Sequence, residues 1–540
     1  MVALIDKLCE KMTSVKITSK AGAALFATKD YKAGDIILEE TPLLTLQKKS
    51  ASDVIAIREQ FQNIKAEKKV RVSALEDLDI PSSIDVKDKT KFRGFVEAAA
   101  SFALVEDENI REKYLSLYYP AAIDSDESVN NESDLYESDV IQLAESALVY
   151  LQRQTTPTSK LNNLVTNSSK NCLKAMLIWA CNSFEGGLVY ELTSRINHSC
   201  DFNAVVCVDP FQQGSGGSQE RQTIRAAAAI KEGDEICISY LGSYTYADFS
   251  ARNERLQKEK FFKCMCKRCE ITRIEGDVAG SVPCFQCHPR DGRYLDEDVQ
   301  YDDGAIEVNY CKPCIVKDSS SSKPGDRIVY RCAKCGDVEI DSVASKAMSK
   351  AIERATAHLD EGLKVQAQID DDEEERATKM ELTERMACLA TSVLGAKHYA
   401  SSLLTFVSLS AKLSLIHCRM LCESADQGSS GDQEELMSDI AECIDSLERV
   451  INYLESIGLQ SHFGQLVGNA CIGVARVLIG FGDEKSVKYG CTFLSKVYDN
   501  YFKLCFEGEG MKKVVEALMS KNASQKNDEA EPQKKRHKSS

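Results

Sequence analysis

Between Cys264 and Cys335 the chain sets thiols at the spacings that hold metal ions. Cys264, Cys266 and Cys269 supply three thiolates within a single CxCxxC run. A structural zinc takes four ligands in a tetrahedron, so three local thiolates require a distant fourth. Farther on come Cys284-x-x-Cys287, Cys311-x-x-Cys314 and Cys332-x-x-Cys335. Two such knuckles complete one all-thiolate site, so three leave a pair over. His288 adds a seventh candidate ligand, one short of two full sites, and the spacing alone leaves the pairing open. Met1 to Met12 mix Asp6, Lys7, Glu10 and Lys11 with apolar positions, unlike a secretory leader. In such a chain of 540 residues, zinc is a better reading of these spacings than a disulfide framework.

A second constellation lies upstream. Asn197-His198-Ser199-Cys200 combines an amide that can donate and accept, an imidazole and a thiol. Gly233-Asp234-Glu235-Ile236-Cys237-Ile238-Ser239-Tyr240 ends an apolar run on a phenol. Gly22-Ala23-Ala24-Leu25-Phe26-Ala27 offers a small-residue strand end where backbone could approach a ligand closely.

The elements that must position these groups follow from periodicity. Ala23 to Ala27, the turn Lys32-Ala33-Gly34-Asp35 and Ile36 to Leu38 read as strand, turn, strand. Ser52 to Tyr119 reads as helical. Ala121 to Asp139 is acidic and reads as a loop, and helical spacing resumes from Val140 to about Cys181. Ala204 to Val208 and Ile236 to Tyr240 read as strands, with Gly214 to Ser218 as a flexible connection. Phe261 to Cys335 lacks periodicity, so metal must hold it in place of a large core. From Asp341 to about Leu518 the chain reads as helices. Ile440, Cys443, Ile444, Leu447 and Ile451 mark one apolar face, and Leu466, Ala470, Val474 and Val477 another. Asp370 to Glu375 is a solvated charge run, and Gln427 to Gln433 a loop. No stretch reads as long and apolar enough to cross a bilayer.

In this order the segments resemble a SET protein methyltransferase domain. The helix-filled split after the first segment, and Arg252-Asn253-Glu254-Arg255-Leu256 before the cysteines, are similar to the SET-and-MYND (SMYD) family. The resemblance covers Val15 to Cys269 closely and the C-terminal half loosely. It implies that Cys200 is the fourth ligand of a zinc with Cys264, Cys266 and Cys269, which would draw Phe261 and Phe262 over the active site. It favours Cys284, Cys287, Cys332 and Cys335 for a second zinc, with Cys311 and Cys314 as alternative ligands. It implies S-adenosylmethionine as methyl donor, held by Gly22, Ala23, Ala24, Asn197, His198, Tyr240 and Phe262. Tyr240 is then the catalytic residue. The implied fold is α+β: a β-rich SET domain split by a helical insertion, a zinc-bound post-SET region and an all-α, TPR-like C-terminal domain. The implied divisions are 1–45 and 181–258 for the SET halves, 46–180 for the insertion, 259–340 for the zinc region, 341–520 for the helical domain and 521–540 for a disordered tail.

Three departures qualify the likeness. Ala24 stands where the family carries a second glycine, tolerable only if φ stays negative. Lys260 stands where the family has a tyrosine before Phe261-Phe262, with Tyr244 or Tyr246 as substitutes for its hydroxyl. The MYND finger is missing, because 46–171 holds no run of Cys and His ligands.

A net charge of −16 argues against broad binding to nucleic acid and suits a basic protein partner. The expected activity is transfer of methyl from S-adenosylmethionine to a lysine ε-amine of a histone or other protein. The rival is a weak or inactive SET-fold scaffold that binds protein partners. No membrane is expected. Location is cytoplasmic or nuclear, since Lys534-Lys535-Arg536-His537-Lys538 could serve nuclear import.

Overall fold

The computed structural model describes residues 13–18, 22–45, 79–120, 132–184, 187–207, 222–284, 310–318, 325–338, 342–366, 373–423 and 430–459, with shorter stretches near 56–61, at Cys287 and between 468 and 490. The chain divides into two compact units: Met1–Tyr240 with Asn253–Cys264, and Leu241–Arg252 with Met265–Ser540.

In the first unit, β1 (Thr13–Thr18) and β2 (Gly22–Ala27) form an antiparallel pair. A tight turn then leads to β3 (Ile36–Glu40). Asp35 closes that turn by accepting from the Lys32 backbone N–H at 2.8 Å, and Gly34 takes a φ of 91° that a side chain would strain. Among the described residues the longer helices that follow are α1 (Lys89–Leu104), α2 (Glu108–Leu115), α3 (Glu132–Gln154), α4 (Lys160–Asn167) and α5 (Ser169–Asn182). Asp107 caps α2 and Ser159 caps α4, each accepting backbone N–H groups that a helix start leaves unpaired. The helices close over Phe92, Phe95, Phe102, Tyr114, Leu151 and Met176. Full burial of each such side chain stabilises by about 1.5–3 kcal/mol.

Within this core Gly94 of α1 faces the only tryptophan of the chain, Trp179. A Cβ there would lie 2.2 Å from Trp179 Cη2. Helix propensity favours alanine over glycine by about 1 kcal/mol, but this overlap costs more. Gly94→Ala is therefore expected to destabilise the first unit by about 1–3 kcal/mol. Denaturant unfolding followed by Trp179 fluorescence reads the loss directly, and an unchanged midpoint would show that the ring has room to move.

After the helices come β4 (Asn197–His198), β5 (Ala204–Cys207), β6 (Gln222–Ala226) and β7 (Cys237–Ile238). One sheet has the order β3-β6-β5 and a parallel pair joins β4 to β7. Along β6, Gln222, Ile224 and Ala226 are buried and alternate with Thr223 and Arg225, the period of two that a one-faced strand imposes. Leu25, Ile37, Leu38, Ile196, Ile224 and Ile236 are central members of this second core. Helix α6 (Phe249–Lys260) starts in the second unit and ends in the first.

The second unit continues with α7 (Lys267–Glu275) and a four-stranded sheet of β8 (Val282–Pro283), β9 (Tyr310–Asp318), β10 (Gly325–Cys332) and β11 (Gly336–Val338), in the order β11-β10-β9-β8. Then come α8 (Ser342–Gln366), α9 (Glu373–Leu394), α10 (Tyr399–Glu423) and α11 (Ser430–Ser456). In α11, Ile440, Cys443 and Leu447 are buried as the helical spacing requires, while Ile444 and Ile451 are half-buried.

Several expectations need correction. The region from Phe261 to Cys335 carries a sheet as well as thiols. The acidic stretch expected as a loop to Asp139 is helix from Glu132, and the sequence places Glu132 and Asp134 in its first turn, where acidic residues suit the helix dipole. Residues 121–131 lie outside those described. Gln427 to Gln433 turns helical at Ser430, and the sequence places Asp432 in that first turn. The strand expected over Ile236 to Tyr240 pairs only at Cys237–Ile238. Tyr399–Arg419 in α10 is long and apolar enough to cross a membrane, with a mean hydropathy of 1.3. Of its apolar window 67% is buried, as in a core helix. Met1 to Met12, Gly214 to Ser218, His288, Asp370 to Asp372, Leu466 and the basic tail lie outside the described residues.

Candidate active site and thiol clusters

The site in the first unit is built around the two-residue pair of β4 and β7. Asn197 pairs with Cys237 and His198 with Ile238, in parallel. Three polar side chains lock this junction. Glu40, at the end of β3, accepts from the backbone N–H groups of Leu192 and Thr193 at 2.7 and 2.9 Å and from the Thr193 hydroxyl. That fixes the turn entering β4. Burial raises the Glu40 carboxyl above its ordinary range, against the pull of these hydrogen bonds. Asn203 holds the exit of the motif. Its Oδ1 accepts from Cys237 N–H at 2.8 Å and its Nδ2 donates to the Glu235 carbonyl at 2.9 Å. Asn197 itself donates from Nδ2 to Glu235 Oε1 at 2.7 Å. Glu235 also bridges to Phe26 of β2, and the Ile236 N–H donates to the Leu25 carbonyl. So Gly22–Ala27 and Asn197 flank the same short segment.

Ala24 is fully buried in β2. Among the described residues Phe261 alone has a positive φ without being glycine, so Ala24 sits in ordinary extended backbone. The substitution is sterically accommodated.

Tyr240, His198 and Phe262 converge. Ring centroids lie 5.4 Å apart for His198 and Tyr240, 6.0 Å for His198 and Phe262, and 6.4 Å for Tyr240 and Phe262. The Tyr240 hydroxyl donates to the Ile196 carbonyl at 2.5 Å. Burial, then the nearby Cys237 and Glu235, push its pKa well above the ordinary phenol, so it stays protonated. The left-handed Phe261, φ 64°, separates the two phenylalanines. Phe261 joins the helical core and Phe262 faces His198 and Tyr240. Phe262 alone of the pair therefore meets the site.

Lys260 donates from Nζ to the Cys181 carbonyl at 2.8 Å and lies 5.6 Å over the Tyr240 ring. Burial lowers its pKa from the ordinary lysine value. Tyr244 and Tyr246 belong to the second unit, where the Tyr244 hydroxyl donates to Asp360 at 2.8 Å and the Tyr246 carbonyl accepts from Tyr453. Sequence reasoning foresaw neither Glu40, Glu235, Asn203 nor the Cys181 carbonyl. Glu235, inside the Gly233–Tyr240 motif, and Asn203, which closes the stretch that begins at Asn197, carried the only signal.

The thiols fall into groups. In the first unit Cys200 and Cys264 are buried with their sulfurs within 4.8 Å of each other. The Asn253 side chain anchors Cys264 by accepting its backbone N–H at 2.8 Å. In the second unit Cys266 and Cys269 are likewise within 4.8 Å. The buried Arg252 guanidinium approaches the Cys269 sulfur at 3.8 Å.

Cys284, Cys287, Cys332 and Cys335 form a tetrad in the second unit, all sulfurs within 4.8 Å of one another. Measured separations are 3.2 Å for Cys287–Cys335, 3.8 Å for Cys287–Cys332 and 4.0 Å for Cys284–Cys335. A tetrahedral zinc with bonds of about 2.3 Å needs sulfurs about 3.8 Å apart, so this donor set fits a metal. Desolvation works against the Cys332 thiolate, yet the N–H groups of Cys335 and Lys334 help bring its pKa down to about 7. Cys311 sits opposite Cys332 on β9, buried beside Cys284 and Cys332 but outside the tetrad, and Cys314 lies on the same strand.

Residues 22–241 match the SET domain family. Histone-lysine N-methyltransferase ASHR2 of Arabidopsis thaliana is 32% identical over 83 residues, 15% of this chain and 20% of that protein. Histone-lysine N-methyltransferase ASHR1 of the same plant is 30% identical over 158 residues, 28% of this chain and 30% of that protein. The chain thus spans less than a third of either relative. A crystal structure of the SET domain of LSMT, bound to lysine and AdoHcy, aligns over 79% of this chain and 95% of its own. At 13% identity and a TM-score of 0.24 that likeness is too loose for any residue to be carried across. The chain carries a SET domain with homology to histone-lysine methyltransferases.

Proposed function

We propose that this chain is a protein-lysine methyltransferase of SMYD-like organisation, lacking the MYND finger, that uses S-adenosylmethionine. The observation that carries the reading is the convergence of Tyr240, His198 and Phe262 inside a SET domain. When bound, S-adenosylmethionine supplies an electrophilic methyl on a sulfonium. Gly22, Ala23 and Ala24 would offer backbone groups to it, as would His198, whose two ring nitrogens are engaged by Tyr240 and Cys200. Asn197 would offer a polar side chain and Phe262 an apolar surface. The Asn197 amide, oriented by Glu235, keeps an acceptor oxygen of the kind an amino group needs.

The acceptor lysine must be neutral, although its reference pKa is about 10.4. Tyr240 and Phe262 would wall it from water, which disfavours its charged form. Lys260, when charged, would lower the acceptor's pKa further as a like charge. Tyr240, held protonated and aimed by Ile196, would orient the amine, and the lost proton would pass to solvent.

Zinc held by Cys200, Cys264, Cys266 and Cys269 would fix the segment bearing Phe262. A second, on Cys284, Cys287, Cys332 and Cys335, would fix β10 to the loop after β8. The helices beyond 341 would form a TPR-like domain, and the substrate would be a basic protein in nucleus or cytoplasm, within the domain divisions expected from sequence.

A scaffold without turnover has one observation in its favour, the Lys260 amine beside the Tyr240 ring. Incubation of the chain with methyl-labelled cofactor and a panel of basic proteins separates the readings. Label on lysine is the expected result. A panel without label, together with no calorimetric binding of cofactor, would favour the scaffold.

A further inference from the structure

The parallel ladder between β4 and β7 stops early. Beyond the two paired residues it has one more backbone bond, from Ser199 N–H to the Ile238 carbonyl. Two residues later, the Tyr240 backbone N–H donates to the Nδ1 of His198 at 3.0 Å. A side chain continues the ladder where backbone pairing ends.

This bond decides the proton on the ring. A backbone N–H can only donate, so Nδ1 must present a lone pair. The imidazole is then neutral, with its proton on Nε2. That nitrogen lies 3.3 Å from the sulfur of Cys200, which is fully buried. An N–H facing a sulfur at this distance is a hydrogen-bond donor to it.

We infer that His198 is a positioning residue whose ring ties the Cys200 sulfur to the strand end that carries Tyr240. The inference rests on the reading of Cys200 as a zinc ligand. Metal binding converts a thiol to a thiolate, and a thiolate accepts a hydrogen bond more strongly than a thiol. Zinc on Cys200 therefore tightens the same ring that holds the Tyr240 backbone. Linkage makes the effect reciprocal: the tie also raises zinc affinity. Because the ring lies among Tyr240 and Phe262, its orientation also sets the space between them.

The test uses the full chain loaded with zinc and without methyl donor, so it decides the tie whether or not methyl transfer occurs. Nitrogen NMR of the histidine-labelled wild type, assigned by difference from His198→Phe, is expected to show His198 protonated on Nε2 and bare on Nδ1. Competition with a chromophoric chelator is expected to show one zinc held about 10–100-fold more weakly in His198→Phe, with the other unchanged. His198→Gln, whose amide can accept and donate, should recover part of the loss. A proton on Nδ1, equal zinc affinities in wild type and His198→Phe, or no zinc on Cys200 would overturn the tie. The NMR readout comes from the wild type and stands even if the phenylalanine variant folds poorly.

Discussion

Tyr240→Phe is expected to lower methyl transfer to lysine by about 10²–10³-fold while cofactor affinity changes little. The phenylalanine ring can keep the packing on His198 and Phe262, so the wall of the site survives. What disappears is the hydroxyl anchored on the Ile196 carbonyl. If it orients the acceptor amine, the loss falls on kcat rather than on cofactor binding. The carbonyl left behind costs about 1 kcal/mol of stability, too little to unfold the unit. Single-turnover transfer and calorimetric titration of the cofactor make the check. Unchanged transfer in the variant would remove Tyr240 from the mechanism.

A second large effect concerns the second unit at acid pH. His398 is fully buried, its Nδ1 accepts from the Ala400 N–H at 3.2 Å, and its ring stacks 4.6 Å from Tyr399. Burial depresses its pKa to about 3. The unfolded chain binds a proton there below about 6.5, whereas the folded unit does not until about 3. Stability is therefore full above about 6.5 and drains away as pH falls toward 3. The whole effect is of the order of 4–5 kcal/mol. Thermal unfolding of wild type between pH 7 and 4 should show a steep loss that His398→Asn flattens. Parallel acid curves would mean that other groups govern the transition.

What could be read from the sequence is what lies close along it. Cys264, Cys266 and Cys269 mark a candidate metal site by spacing, and Ala204 to Cys207 announces a strand by its apolar run. The fold's SET core and helical C-terminal region follow from such patterns and from motif order. The bonds that aim the site join residues far apart, and no period marks them. Glu40 reaches Leu192 and Thr193, and Lys260 reaches the Cys181 carbonyl, each across long stretches of chain. The left-handed backbone at Phe261 has no signal, because phenylalanine is a poor fit for it. Strand β10 did carry one. Ile328, Val329 and Tyr330 are a run of the β-branched and aromatic residues that favour strands, set among cysteine knuckles whose spacing points to metal.

The pairing of β3 with β6 has a consequence for how the protein is made. Ile36 faces Arg225, about 190 residues later. At ribosomal speeds of about 5–20 residues per second, β3 waits about 10–40 s for its partner. Helices α1 to α5, whose contacts are more local, have time to close in that interval. Until then an apolar strand edge stands exposed, a liability that folded sheets avoid. Newborn chains should thus pass through a stage in which the insertion is folded and the sheet is not. At that stage a holding chaperone has the most to protect.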